Sequence, residues 1–209
     1  MLITERRSDT KQLRKKIAIL GIRGLPARHG GFETFAEHLA LFLVSQGWRV
    51  TVYCQEEGSG GIRYSEWRGI ELVHVPATFS GSAGSIVFDF KSVIHSISRG
   101  SLFLILGYNT AIFNLLFRLL GRPHLVNMDG IEWRRRKWGK LAKAWFWFNE
   151  RVACMTATHL VADNPGIETH LRTRVSGGKI TMIPYGANPV SSADERLLAA
   201  FKIEKYNYA

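Results

Sequence analysis

Residues 21–37, GIRGLPARHGGFETFAE, decide how this chain is read. They follow a short apolar run, Ile17, Ala18, Ile19 and Leu20, and they open a long amphipathic pattern. A strand, a glycine-rich loop and a helix start are the parts from which an α/β domain builds an anion site. Backbone N–H groups and the positive helix end both point at the ligand. Gly21, Gly24, Gly30 and Gly31 fall in this stretch, and the last two stand where the helix should begin. The plainer reading is a flexible connection closed by ordinary turn glycines. The Gly-Gly pair set directly against a helix N-terminus, after a first strand, favours the anion site.

Outward from this loop, strand and helix patterns alternate. Apolar or β-branched runs mark strands over 17–21, 49–54, 70–75, 102–106, 124–127, 159–162 and 180–183. Helical spacing or cap signals mark helices over 32–46, 85–98, 110–120, 141–156 and 165–173, with a further one over 192–201. The polar stretch 55–69 leaves room for a short hairpin around 63–67. This order predicts an α/β, doubly wound, mostly parallel sheet with helices on both faces, a Rossmann-like architecture. Ligands of such sheets sit beyond the C-terminal strand ends, so the informative loops follow those ends.

The chain has 209 residues, with 46% hydrophobic and 22% charged residues, which supports a packed core and argues against disorder. Lys and Arg number 28 against 17 Asp and Glu, a net charge of +11 that favours an anionic partner. Cys54 and Cys154 lie in apolar runs and read as reduced, buried thiols. The start, MLITERRSDTKQLRKK, lacks an apolar h-region and reads as a flexible basic tail over 1–15. Residues 101–121 are long enough to span a bilayer, but Gly107, Tyr108, Asn109, Thr110, Asn114 and Arg118 interrupt them. They read as a buried strand, a polar loop and a helix.

A dinucleotide fingerprint is not met. Gly21 and Gly24 are followed by five residues before Gly30 and Gly31, too long a loop for G-x-G-x-x-G, although Glu56 could mimic the ribose-binding acid. There is no G-K-[ST] either. Taken together, GIRGLPARHGGFETFAEHLA, VNMDGIEWRRRKWG, ADNPGIETHL and ITMIPYGA resemble the N-terminal half of a GT-B glycosyltransferase, more narrowly a bacterial family 4 enzyme of the rhamnosyltransferase type. The resemblance covers about residues 15–190 and implies one half of a two-domain enzyme. Residues 16–190 would be the acceptor-side domain, and 191–209 would lead toward a donor-binding domain not present. It implies transfer of a hexosyl group, L-rhamnosyl in the narrower form, from a nucleoside diphosphate sugar to a lipid-linked saccharide in cell-surface polysaccharide synthesis. It also implies retention of configuration, a fragment inactive alone, and no cofactor or metal. His74, His95, His124, His159 and His170 show no metal spacing.

Under this resemblance Gly30 and Gly31 approach the donor diphosphate, with His29 and Arg28 as added donors or as solvated loop residues. Glu33 and Thr34 lie in the first helical turn, where capping is the expected role of Thr34. Asp129, past the fifth strand, would orient the acceptor hydroxyl, with Glu132 three residues on; an Asp-Gly turn and a solvated glutamate are the alternative. Tyr108 and Asn109 would line the acceptor pocket, with Arg134 beside them. Asn164 should cap the helix that Pro165 starts.

A basic run, Arg134, Arg135, Arg136, Lys137, Lys140 and Lys143, is interleaved with Trp133, Trp138, Trp145 and Trp147. One reading is a solvated helix face with core aromatics behind it. The other is a membrane patch of Arg135, Arg136, Lys137, Trp138 and Lys140 on anionic lipid. No nucleic-acid motif accompanies the charge, so nucleic acid is not expected as a partner. A lipid-borne acceptor would place the protein in the cytoplasm, peripheral at the inner face of the plasma membrane. The rival function is a non-catalytic membrane- or polyanion-binding module.

Overall fold

The computed structural model describes residues 15–28, 30–100, 102–187 and Arg196. Its sheet has eight strands in the order β3-β4-β2-β1-β5-β6-β7-β8. These are β1 (Lys16–Leu20), β2 (Arg49–Glu57), β3 (Arg63–Trp67), β4 (Ile70–Ala77), β5 (Leu102–Leu106), β6 (His124–Met128), β7 (His159–Ala162) and β8 (Ile180–Met182). Every pairing is parallel except β3 with β4, where Trp67 faces Ile70 across a tight antiparallel turn. The hairpin that the sequence left room for is therefore an edge strand. β2 runs three residues past its expected end because Gln55, Glu56 and Glu57 stay in register with Val75, Pro76 and Ala77. Helices α1 (Gly31–Ser45), α2 (Gly81–Ser96), α3 (Leu115–Leu119), α4 (Lys140–Thr156) and α5 (Pro165–Arg172) connect the strands.

Side chains alternate across β1 as strand geometry requires. Ile17 and Ile19 join Val50, Val52 and Leu104 beneath Ala36 and Ala40 of α1. Ala18 and Leu20 face the other way, into a core with Phe88 of α2 and Phe146, Val152 and Ala153 of α4. The sheet is thus covered on both faces, as the continuous apolar strands demand.

Local details follow from named residues. Asn164 caps α5, its Oδ1 accepting from the N–H of Ile167 at 3.0 Å. Gly47, just past α1, takes φ +79, the left-handed turn that glycine favours after a helix. The helix expected over 110–120 is split. A 3₁₀ turn, Ala111–Asn114, precedes α3, and Asn149 of α4 accepts from the N–H of Ile112 at 2.9 Å. Helix α2 starts four residues before its expected beginning, at Gly81, where φ is +64. The helix expected over 192–201 lies outside the described residues apart from Arg196. Both cysteines are free and buried. Among the described residues no helix is long and apolar enough to cross a membrane.

Candidate functional site

The chain reverses its direction of travel across the sheet between β1 and β5. β2 and β4 lie on one side of β1, and β5 to β8 on the other. In a doubly wound sheet the crevice opens at the C-terminal ends of two such strands. A cavity of about 560 Å³ lies there. Gly21, Arg23, Gly30, Gly31 and Glu33 border it from the β1–α1 side, and Gly107, Asn109 and Thr110 from beyond β5. Asp89 of α2 and Trp138, Trp145 and Phe146 complete its wall.

The glycines of the opening loop do different things. Gly21 has φ +88, and a β-carbon there would collide with the carbonyl oxygen of Leu106, so glycine is needed for β1 and β5 to end side by side. Gly24 has φ +147 and presses on the side chain of Cys54. Gly30 has φ 179, an extended backbone that any residue adopts. A β-carbon on Gly31 would meet nothing within 4 Å. The fold therefore does not require glycine at Gly31, which is exposed on the border of the cavity.

Two carboxylates of α1 hold this loop. Glu33, buried, accepts from the N–H of Arg23 at 3.2 Å, and Glu37 accepts from the N–H of Ala27 at 2.7 Å. Thr34 does not cap the helix as expected. Its hydroxyl donates back to the carbonyl of Gly30 at 3.1 Å, an oxygen that also accepts the backbone N–H of Thr34, because Thr34 already lies inside the first turn, where the acceptor within reach is a carbonyl. Arg28 is exposed; His29 lies outside the described residues.

The loop after β6 departs from expectation. Tyr108, expected to line the pocket, is 1% exposed, and its hydroxyl is fully engaged. It donates to the carbonyl of Gly130 at 3.0 Å and accepts from the N–H of Glu132 at 2.9 Å. Glu132, expected beside Asp129 at the cleft, turns inward and is 4% exposed. The indole N–H of Trp138 donates to its Oε2 at 2.7 Å, and Arg135 pairs with its Oε1 at 2.9 Å. The 3₁₀ turn Glu132–Arg134 makes this inward turn. Trp138 leaves the membrane patch for the same reason: its ring packs on Phe146, centroids 5.0 Å apart. Lys137 lies over the Trp138 ring at 4.7 Å, and Arg134 over Trp133 at 5.0 Å.

Asp129 closes an Asp-Gly turn, its Oδ1 accepting from the N–H of Gly130 at 2.7 Å. It is not among the residues lining the cavity. Its charge adds to the burial that raises the carboxyl of Asp163, and burial, with both negative charges adding, pushes the Tyr185 hydroxyl up to about 12. Asp129, Asp163 and Tyr185 thus lie near one another past the ends of β6, β7 and β8. Asn109 does border the cavity, and its carbonyl accepts from the indole of Trp145 at 2.7 Å.

One carboxylate that sequence reasoning passed over lies in the cavity wall. Asp89 accepts a hydrogen bond from the hydroxyl of Thr110 at 2.7 Å. Burial pushes its carboxyl up to about 7, and the Thr110 bond opposes the shift. The signal was a lone acid inside the apolar run IVFDF.

A family model described as a domain of unknown function, DUF1972, matches residues 14–188. The chain belongs to the DUF1972 family. No curated protein matches the sequence. Among solved structures it is similar to a sucrose-phosphate synthase of Thermosynechococcus elongatus, with TM-score 0.61 and 13% identity over 83% of this chain and 91% of that one. It is similar to Anabaena Alr3699/HepE, a protein solved in complex with UDP and glucose, with TM-score 0.59 and 13% identity over 90% of this chain and 50% of that one. It is also similar to the UDP-N-acetylglucosamine 2-epimerase of Rickettsia bellii, with TM-score 0.51 and 11% identity over 81% and 44%. The chain spans about half the length of these last two proteins. At such identities the likeness is one of fold: this DUF1972 chain has the Rossmann-like fold of one half of a GT-B glycosyltransferase.

Proposed function

We propose that this DUF1972 chain is the acceptor-side half of a glycosyltransferase that moves a hexosyl group from a nucleoside diphosphate sugar to a lipid-linked saccharide. The observation that carries this reading is the cavity at the β1–β5 switch point, with an unobstructed glycine on its border and a carboxylate in its wall. Gly31 leaves room for a diphosphate, whereas beside Gly30 the space is bounded by Glu33 Oε2, 3.3 Å from where a β-carbon would stand; Arg28 and His29 are the donors nearest in sequence. Asn109 borders the acceptor side, and Arg134 stands exposed on the loop past β6. Asp129 is the loop carboxylate left to orient substrate. The motif resemblance narrows the sugar to rhamnosyl, the pathway to cell-surface polysaccharide synthesis and the outcome to retention. The other half of the cleft would come from a donor-binding domain, and residues 1–209 without it would be inactive.

The lipid-linked acceptor draws support from α4. Leu141, Trp147, Phe148 and Met155 are exposed, at 89%, 45%, 44% and 65%. Helical spacing puts them on one stripe with Lys140 and Arg151. Arg151 lies 3.4 Å from the centre of the Trp147 ring. Arg136, in the segment before α4, is exposed. A peripheral helix on an anionic membrane has this composition. The patch thus moves from the basic run toward the outer face of α4.

The test is transfer by the complete protein. Nucleoside diphosphate sugars are offered with a polyprenyl diphosphate-linked saccharide, and the anomeric configuration of the product is read by NMR. The absence of product from every donor removes the proposal. The rival reading, a membrane-binding module without catalysis, takes its support from the α4 stripe alone. It predicts vesicle binding with no dependence on Gly31 or on any nucleotide sugar.

A further inference from the structure

We propose that Asp89 binds the acceptor, its carboxylate accepting the hydrogen bond of a saccharide hydroxyl that enters the switch-point cavity; this assignment rests on the transferase reading above. Asp89 of α2 is half-buried in a wall it shares with Phe88, Ile105 and Phe146, and a carboxyl in such surroundings is unfavourable unless something hydrogen-bonds it. Among the described residues its hydrogen-bond partner is Thr110, which holds one oxygen, Oδ2, and so fixes the direction of the group toward the cavity.

The cavity's charge says what enters it. Apart from Asp89, its charged lining residues are Arg23 and Glu33 from the β1–α1 segment; what β2, β5 and α4 present is uncharged. Glu33 and, as pH rises past about 7, Asp89 outweigh the one guanidinium, which favours a neutral polyhydroxyl ligand within and leaves a diphosphate to the open space at Gly31. Trp145 suits that ligand. Its indole is tied to the carbonyl of Asn109, which fixes a flat apolar wall near the polar groups. Burial raises the Asp89 carboxyl to about 7, so the charged form, the stronger acceptor, fills as pH rises through neutrality.

Saturation-transfer NMR on the 209-residue chain tests this, with methyl rhamnoside, glucoside, galactoside and N-acetylglucosaminide as probes from pH 6 to pH 8. At least one glycoside should bind, more tightly as pH rises through about 7. Asp89→Ala should weaken binding by about tenfold or more. Asp89→Asn, the isosteric variant that preserves packing, should abolish the pH dependence. Thr110→Val removes the bond that lowers the Asp89 pKa and should move the midpoint to higher pH. A merely structural Asp89 would give no such movement. Failure of every glycoside to bind, or binding indifferent to both Asp89 variants, overturns the assignment. Sugar transfer by the complete protein alongside such indifference would sink this assignment and leave the transferase reading standing. Glycoside binding through Asp89 without transfer would do the reverse.

Discussion

The hydroxyl of Tyr108 accepts a hydrogen bond from the backbone N–H of Glu132, 2.9 Å away, and so clasps the loop after β6 to the end of β5. The same hydroxyl donates to Gly130, so two backbone groups depend on one oxygen. Tyr108→Phe should cost about 1–3 kcal/mol, since it leaves a buried N–H and a carbonyl without their partner. Urea denaturation measures this. A change below about 0.5 kcal/mol, the usual size of a surface substitution, would mean that the clasp is not structural.

Gly21 and Gly31 should separate folding from function. Gly21→Ala forces a side chain into φ +88 and into the carbonyl of Leu106, and should cost about 3 kcal/mol or more. Gly31→Ala meets nothing within 4 Å and should leave the melting temperature close to wild type. If Gly31→Ala unfolds the chain, the glycine serves the fold and reserves no space for a ligand.

Asp89 gives a pH dependence of stability with a definite sign. Its carboxyl titrates near 7 in the folded chain, above the ordinary value of an unfolded aspartate. Its contribution is therefore complete below the unfolded pKa, about 4, and is lost as pH rises through 7. The ceiling on that loss is about 4 kcal/mol, reduced by the part of the carboxyl open to the cavity. Asp89→Asn should flatten the curve between pH 4 and pH 7. Parallel pH profiles for wild type and variant would contradict the raised pKa.

The α4 stripe should act on membranes and hardly at all on folding. Trp147 and Phe148 are both close to half exposed, so Trp147→Ala with Phe148→Ala should change stability by about 0.5 kcal/mol per site or less. Sedimentation with phosphatidylserine vesicles should show partitioning reduced by about tenfold, from the lost apolar contact. Unaltered partitioning would move the contact elsewhere.

Much of the fold was legible because its signals are local. The apolar run before Gly21 is β1, the alternation in RVTVYC lies in β2, and Asn164 with Pro165 opens α5 as a cap should. The candidate site was less legible because side-chain direction is not local. Glu132 and Trp138 both sit in a polar, basic run, and only the 3₁₀ turn from Glu132 to Arg134 brings them together inside. Tyr108 stands in a polar loop, yet its hydroxyl is consumed by a segment more than twenty residues away. Asp89 was hidden for the opposite reason. Its neighbours read as an ordinary amphipathic helix, and the meaning of one acid in an apolar run depends on Thr110, which sequence distance does not connect to it.

The most direct measurement is transfer of a labelled sugar by the complete protein onto a polyprenyl diphosphate-linked saccharide, comparing wild type with Gly31→Ala. The wild type should give a glycosylated lipid product, and the variant a large loss of it at unchanged stability. Undiminished transfer by Gly31→Ala, or no transfer from any nucleoside diphosphate sugar, would contradict this expectation.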